Sequence, residues 1–209
     1  MENKKPPLAF RILKRSFDIL CSFLCILILS PVLLIISAVI LITDGTPIVF
    51  SQRRVGLDGK VFNCYKFRTM RNDTPHYLGK SAMDDPDKYI TPIGRFLRRT
   101  SLDELPQLFN ILVGHMSIVG PRPIIAEEEH LQQLRLDNNI YSVRPGLTGY
   151  AQVMGRNDLD DETKVRFDKE YLDNISVSMD LKIICKTFGV VLFRKGEHEG
   201  AADNEAEKN

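Results

Sequence analysis

Residues 19–42, ILCSFLCILILSPVLLIISAVILI, form an apolar run without a single charged side chain. At ~1.5 Å per residue, a helix of that length reaches across a ~30 Å hydrocarbon core. The run is too long for a signal-peptide core, and no small-x-small cleavage site follows it. Ser30-Pro31 sits at its midpoint. Proline removes a backbone donor and crowds the preceding turn, which bends or breaks a helix; the serine hydroxyl can serve a freed carbonyl where water cannot. Each half then spans roughly 18 Å, enough to reach mid-bilayer and return. Both flanks are basic, and basic flanks prefer the cytoplasmic side. A straight crossing puts one flank outside, whereas a re-entrant hairpin keeps both inside. The residues themselves leave kinked span and re-entrant hairpin equally open.

Beyond the run the pattern changes period. Asp44-Gly45-Thr46-Pro47 reads as a turn. Ile48 to Phe50 and Lys60 to Met70 read as strands around Gly56-Leu57-Asp58-Gly59, a β-hairpin. Lys66 and Arg68, two apart on the second strand, share a face about 7 Å apart. They form either a solvated strand face or a contact for lipid head groups or a substrate phosphate. Residues 72–90 are polar and turn-rich, a loop or lid; His76 within it reads as an ordinary surface histidine. Amphipathic helices are expected over residues 126–139, from a cap at Asp158 through Asn174, and over about 179–193. The last carries Leu181, Ile184, Cys185, Phe188, Val191 and Leu192 on one face, with Lys182, Lys186, Arg194 and Lys195 nearby, so it suits core packing or a membrane interface. Val143-Arg144-Pro145-Gly146 has a type II turn signature.

Length and charge narrow the class. The 209 residues suffice for one domain with a core plus an appendage. The net charge of +1 gives no global drive toward nucleic acid. Basic residues concentrate in 1–15 and 53–71, and the tail after Gly196 is acidic and poor in large apolar residues, hence disordered. Four cysteines without a CxxC or Cys/His cluster make neither a disulfide framework nor a zinc site. The expected organisation is 1–46, a basic segment and membrane helix; 47–195, a domain at the membrane interface; and 196–209, the acidic tail. The fold class is α+β, mostly helical, with a short β-hairpin and amphipathic interfacial helices.

The chemistry concentrates between Arg98 and Pro123, RRTSLDELPQLFNILVGHMSIVGPRP. The acid pair Asp103-Glu104 lies beside Arg98-Arg99, among leucines, isoleucine and phenylalanine that half-bury the segment. Ser101-x-x-Glu104 matches a capping box; alternatively Asp103 is the N-cap, with Pro106 in the first turn. Acids that merely cap a helix are the plain reading of this pair alone. Arg98 and Arg122, the latter locked between Pro121 and Pro123, make the group look like a site for phosphate plus a metal.

With these motifs in hand, the chain resembles the bacterial sugar transferases, in particular the small monotopic phosphoglycosyl transferases. The segments that carry the likeness are KRSFDILCSFLCILILSP, FSQRRVGLDGKVFNCYKFRTM, SLDELPQLFNILVGHMSIVGPRP, VRPGLTGYAQVMGRN and SVSMDLKIICKT, spread in order from about Leu13 to Phe193. The resemblance implies transfer of a sugar-1-phosphate from a UDP-sugar to undecaprenyl phosphate, giving UMP and an undecaprenyl diphosphate sugar. It implies Asp103 as the nucleophile that forms an acyl-phosphate intermediate, Glu104 as its assistant, and Mg²⁺ held at Asp103 and Glu104. Arg98 and Arg122 are the expected phosphate contacts, followed by Lys66, Arg68, Arg144 and Arg156. The resemblance also implies a monotopic membrane protein: a helix-break-helix hairpin at Ser30 and Pro31 makes 1–46 a re-entrant anchor, 47–195 is the cytoplasmic catalytic domain, and both ends lie on the cytoplasmic face of the bacterial inner membrane. Its implied partners are membrane lipid and downstream glycosyltransferases in exopolysaccharide, lipopolysaccharide or glycoprotein assembly; a homodimer is left open. The likeness is to members without a multi-pass region before the anchor. His115 stands where such enzymes usually carry an acid, and Tyr150 where they often carry tryptophan. A rival from another class is a non-catalytic membrane adaptor, in which Arg122, Lys66 and Arg68 bind anionic lipid and the dyad only caps a helix.

Overall fold

The computed structural model describes residues 6–74, 86–155 and 159–192. The apolar run lies inside one helix, α1 (Leu8–Thr43), whose most apolar window is long enough to cross a membrane and has only 11% of its residues buried. The expected break is not an interruption: helical backbone continues through Pro31. Pro31 cannot serve the carbonyl of Leu27, four residues back, and Ser30 Oγ donates to that carbonyl at 2.8 Å instead. The hydroxyl thus replaces the missing donor, and helix-break-helix becomes one helix with a substituted bond.

One stripe of α1 meets the rest of the chain. Asp18 and Ser22 are buried, Ile26, Leu29 and Leu33 pack on core clusters, and Ile36 and Ile40 are buried again. These positions are spaced four, four, three, four, three and four apart, the period of a helix seam. The N-terminal end is fastened by polar contacts. Lys14 Nζ meets Asp180 Oδ2 at 2.6 Å, Arg15 donates to the carbonyls of Ile111 and Leu112, and Asp18 Oδ1 accepts from Ser117 Oγ and Ile118 N. The remaining surface of α1 leaves Leu20, Phe23, Leu27, Ile28, Leu34, Ile35 and Ile42 exposed.

The hairpin forms as expected: β1 (Val49–Val55) pairs antiparallel with β2 (Val61–Phe67), from Val49 opposite Phe67 to Val55 opposite Val61. Asp58, at φ 53, and Gly59, at φ 73, make the turn. α2 (Pro92–Thr100) begins at Thr91, whose Oγ1 accepts from Gly94 N, and α3 (Gln107–Val113) follows. β3 (Ser117–Val119) and β4 (Gly146–Thr148) pair in parallel, with α4 (Glu129–Asp137) between them. α5 (Tyr150–Gly155), α6 (Asp161–Asp173) and α7 (Val177–Leu192) complete the described chain. The α+β, mostly helical class holds.

Three local expectations are corrected. Ser101 starts no α-helix; it ends α2 in the left-handed region, at φ 57, its backbone N–H donating to Arg98 O, and its side chain does not cap the 3-10 turn that follows. Gly146 has no positive φ, so Pro145-Gly146 is not a type II turn. Glycine is required there for space: a Cβ would overlap Gly120 N and Thr148 O, because β4 runs against the Gly120 backbone. The cap of α6 is Asp160, whose Oδ1 accepts from Thr163 N at 2.6 Å. Asp158, His76, Arg156, most of the 72–90 loop and the acidic tail lie outside the described residues.

Candidate active site

Asp103 and Glu104 sit in a single 3-10 turn, Leu102–Glu104, between α2 and α3. No side chain caps the N-terminus of α3, so the dyad is not a helix cap. α3 is held to the hairpin by a fully buried asparagine: Asn110 Oδ1 accepts from Tyr65 N at 3.0 Å and its Nδ2 donates to Asn63 O at 2.7 Å. Those bonds grip the edge of β2 one and three residues before Lys66, which sets the dyad against that lysine.

Lys66 Nζ donates to Glu104 Oε1 at 2.8 Å, and Arg122 Nη2 lies 3.5 Å from the same oxygen. Arg98, on the last turn of α2, donates from Nε to Thr69 Oγ1 at 2.9 Å. The two carboxyls respond in opposite directions. Burial pushes Asp103 up, and the charges of Lys66 and Arg98 offset that only in part. Burial also pushes Glu104 up, but Lys66 and Arg122 overcome it and hold the carboxyl down at about 2. A groove beside the dyad is lined by Arg54, Cys64, Lys66, Glu104, Gln107 and Arg122, with Pro123, Gly146 and Leu147. Three cations there face one acid, so the groove suits an anion.

The structure therefore brings together Asp103, Glu104, Lys66, Arg122 and, through its charge on Asp103, Arg98. Arg68 lies elsewhere: only 4% exposed, it donates to the Asp44 and Gly45 carbonyls and to Asn72 Oδ1, stapling the turn after α1. Arg144 donates from Nε to Gly114 O at 2.8 Å, behind α3. Strand alternation ends at Phe67, which is why Lys66 and Arg68 do not share a face. His115 packs on Phe62 with ring centroids 5.6 Å apart. Tyr150 is in the core, donating to Glu170 Oε1 at 2.9 Å.

Arg54 lines the groove without having been singled out from the sequence. The register supplies the missing signal: Arg54 pairs with Phe62, Gln52 with Cys64 and Phe50 with Lys66, so Arg54 shares the inward face with Cys64 and Lys66.

Among the described residues no group of three or more His, Cys, Asp or Glu side chains is placed to hold a metal. Two adjacent carboxylates still suit a hard divalent ion that keeps several waters and takes its other oxygens from a substrate diphosphate. The raised Asp103 is the kind of carboxyl whose ionised form such an ion favours.

An apolar helix long enough to cross a membrane, joined to a domain whose acid pair borders a cationic groove, is the pattern of a membrane-associated protein. The chain belongs to the bacterial sugar transferase family, whose pattern matches residues 9–194. It is 42% identical to the undecaprenyl-phosphate galactose phosphotransferase of Salmonella typhimurium, over 95% of this chain and 44% of that protein. It is 40% identical to the exopolysaccharide production protein ExoY of Sinorhizobium fredii, over 88% of each chain. It is 42% identical to the UDP-glucose:undecaprenyl-phosphate glucose-1-phosphate transferase of Escherichia coli K12, over 85% of this chain and 39% of that protein. The chain thus spans less than half the length of the longer relatives and most of the shorter one.

Proposed function

We propose that this protein is a phosphoglycosyl transferase that moves a sugar-1-phosphate from a UDP-sugar to undecaprenyl phosphate, the opening step of a bacterial glycan. The observation that carries this reading is the buried Asp103 beside Glu104, with Lys66, Arg98 and Arg122 around them. A carboxylate held out of water is a better nucleophile than a hydrated one, and its obstacle is repulsion by an anionic phosphate. The surrounding cations offset that repulsion.

In the first step an Asp103 oxygen attacks the phosphorus that carries the sugar. The bond from that phosphorus to the UMP oxygen breaks, UMP leaves with the electron pair, and an aspartyl phosphosugar remains. In the second step an oxygen of the lipid phosphate attacks the same phosphorus. The acyl-phosphate bond breaks, the Asp103 carboxylate returns and an undecaprenyl diphosphate sugar departs. Arg122 and Lys66 hold phosphate oxygens at the groove, and Glu104 keeps Lys66 in place. Asp103 and Glu104 would hold Mg²⁺, which would supply further charge neutralisation.

The seam on α1 supports a monotopic arrangement. From Asp18 to Ile40 the helix rises ~33 Å, and along that length it keeps contact with the rest of the chain. A helix that crosses a bilayer parts from its soluble domain at the interface. A re-entrant anchor, with α1 bent at Ser30-Pro31 without loss of its helical backbone and both ends at the cytoplasmic face of the inner membrane, lets the domain stay beside it and meet lipid acceptor and soluble donor together.

The experiment is UMP release from a panel of UDP-sugars with undecaprenyl phosphate and Mg²⁺. Release with one sugar and loss in Asp103→Asn support the reading. Lipid binding without UMP release, indifferent to Mg²⁺, would instead identify the adaptor.

A further inference from the structure

The turn that carries Arg122 has little means of holding itself, because Pro121 and Pro123 have no backbone N–H. Its four successive carbonyls are each taken from outside. Gly146 N donates to Pro121 O at 2.9 Å and Val55 N to Ile124 O at 3.1 Å. Arg54 Nη1 donates to Pro123 O at 3.0 Å and Arg135 Nη1 to Arg122 O at 2.6 Å. Arg135 is the odd member. It stands on α4, away from the groove, only 4% exposed, and its other arm donates to Asp168 Oδ2 on α6 at 2.7 Å, a residue 1% exposed.

Such a pair adds little to stability over an apolar one, because both ions lose their water. α4 and α6 do not need it to adhere: Leu131 and Val165 already join them in an apolar cluster with Val55, Ile124 and Ile140. What the pair does provide is a fixed fork. Asp168 occupies one arm, which aims the other at the carbonyl of Arg122. The Arg122 side chain itself is 49% exposed and its contact with Glu104 is long, 3.5 Å, so its backbone sets where the guanidinium stands.

We propose that Arg135, aimed by Asp168, is a positioning residue that fixes the Pro-Arg-Pro turn so that the Arg122 guanidinium stands at the dyad. The inference rests on the transferase reading, in which Arg122 binds phosphate. Misplacing a substrate-contacting group by about 1 Å costs up to about 100-fold in rate.

The test replaces the pair rather than breaking it. Removing one partner strands a buried charge, whereas the double variant Arg135→Met with Asp168→Leu replaces both ions by apolar side chains of similar size, an exchange that is often neutral for stability. UMP release and the thermal midpoint are measured for this double variant, with Arg122 intact and in an Arg122→Ala background. The expected result is a near-unchanged midpoint, a loss of about 10- to 100-fold in kcat/KM with Arg122 intact, and less than about a 2-fold loss in the Arg122→Ala background. Arg135→Lys, which keeps a cation for Asp168 without the fork, should fold and lose release likewise; it decides the matter if the double variant does not fold. Undiminished release in a folded variant, or equal loss in both backgrounds, overturns the inference while leaving the transferase reading intact. Absence of UMP release from the unaltered protein overturns that reading, and the inference with it.

Discussion

Lys66→Met keeps an aliphatic stem on β2 and deletes the charge nearest Glu104. Glu104 is held at about 2 against an ordinary 4.5. At 1.36 kcal/mol per pH unit, that difference is about 3 kcal/mol of preference for the ionised carboxylate in the folded state. Lys66 stands at 2.8 Å and Arg122 at 3.5 Å, and Lys66 is the foremost of the attracting charges. Its removal therefore costs on the order of 1.5–3 kcal/mol, the range for a hydrogen bond to a charged group. The lowered pKa stabilises the fold above the unfolded-state value of 4.5 and loses that effect as pH falls through about 2. The penalty of the substitution compares two folded-state carboxyls, so it is full at pH 7, nearly full at pH 4, and is lost only as pH falls toward about 2. Asp103 responds as well: burial already raises it, and Lys66 is the leading charge that lowers it. Without Lys66 the Asp103 carboxyl rises further, so the acid limb of the pH profile for UMP release moves to higher pH. Denaturation midpoints at pH 7 and pH 2, with kcat/KM from pH 5 to 8, measure both effects, and Lys66→Arg should restore much of each. A stability penalty equal at both pH values, together with an unmoved acid limb, would refute the reasoning.

Other predictions follow from single contacts. Gly146→Ala drives a Cβ into Gly120 N and Thr148 O; it should destabilise by roughly 2–4 kcal/mol, read as a lowered thermal midpoint, and an unchanged midpoint would mean the two backbones are not so close. Burial raises Asp168 to about 6 from 3.8 despite Arg135. A raised carboxyl pKa binds protons more tightly in the folded state, so stability should fall as pH rises from about 4 to 6, a slope that Asp168→Asn removes. Topology is tested by single cysteines at Leu8 and Lys60, in a background without Cys21, Cys25 and Cys185, labelled from each side of the membrane. Labelling of both from the cytoplasmic side fits the re-entrant anchor, and labelling from opposite sides eliminates it.

Much of this arrangement was legible because it is local. The hairpin follows from Gly56-Leu57-Asp58-Gly59 between alternating strands, and the hydroxyl that relieves Pro31 follows from its neighbour in the chain. Asp103, Glu104 and Arg122 stood out as charges within apolar or proline-bounded sequence. What escaped was whatever depends on distant partners. Arg54 became visible only once its register opposite Phe62 was known, and Asn110 only once its amide met the β2 backbone. The Arg135–Asp168 pair joins residues 33 apart on two helices, each unremarkable on an amphipathic face. The capping reading failed through competition. Thr91-Pro92, a sound helix start, launches α2, which consumes the chain up to Thr100 and leaves Ser101 as its left-handed end.

The central claim is that Asp103 bonds to the phosphosugar. The direct measurement is mass spectrometry of the protein after incubation with the active UDP-sugar and Mg²⁺ but no lipid acceptor. A phosphosugar mass on the peptide containing Asp103, discharged by undecaprenyl phosphate and missing in Asp103→Asn, is the predicted result. An adduct on another side chain, or none while product still accumulates with acceptor present, would contradict it.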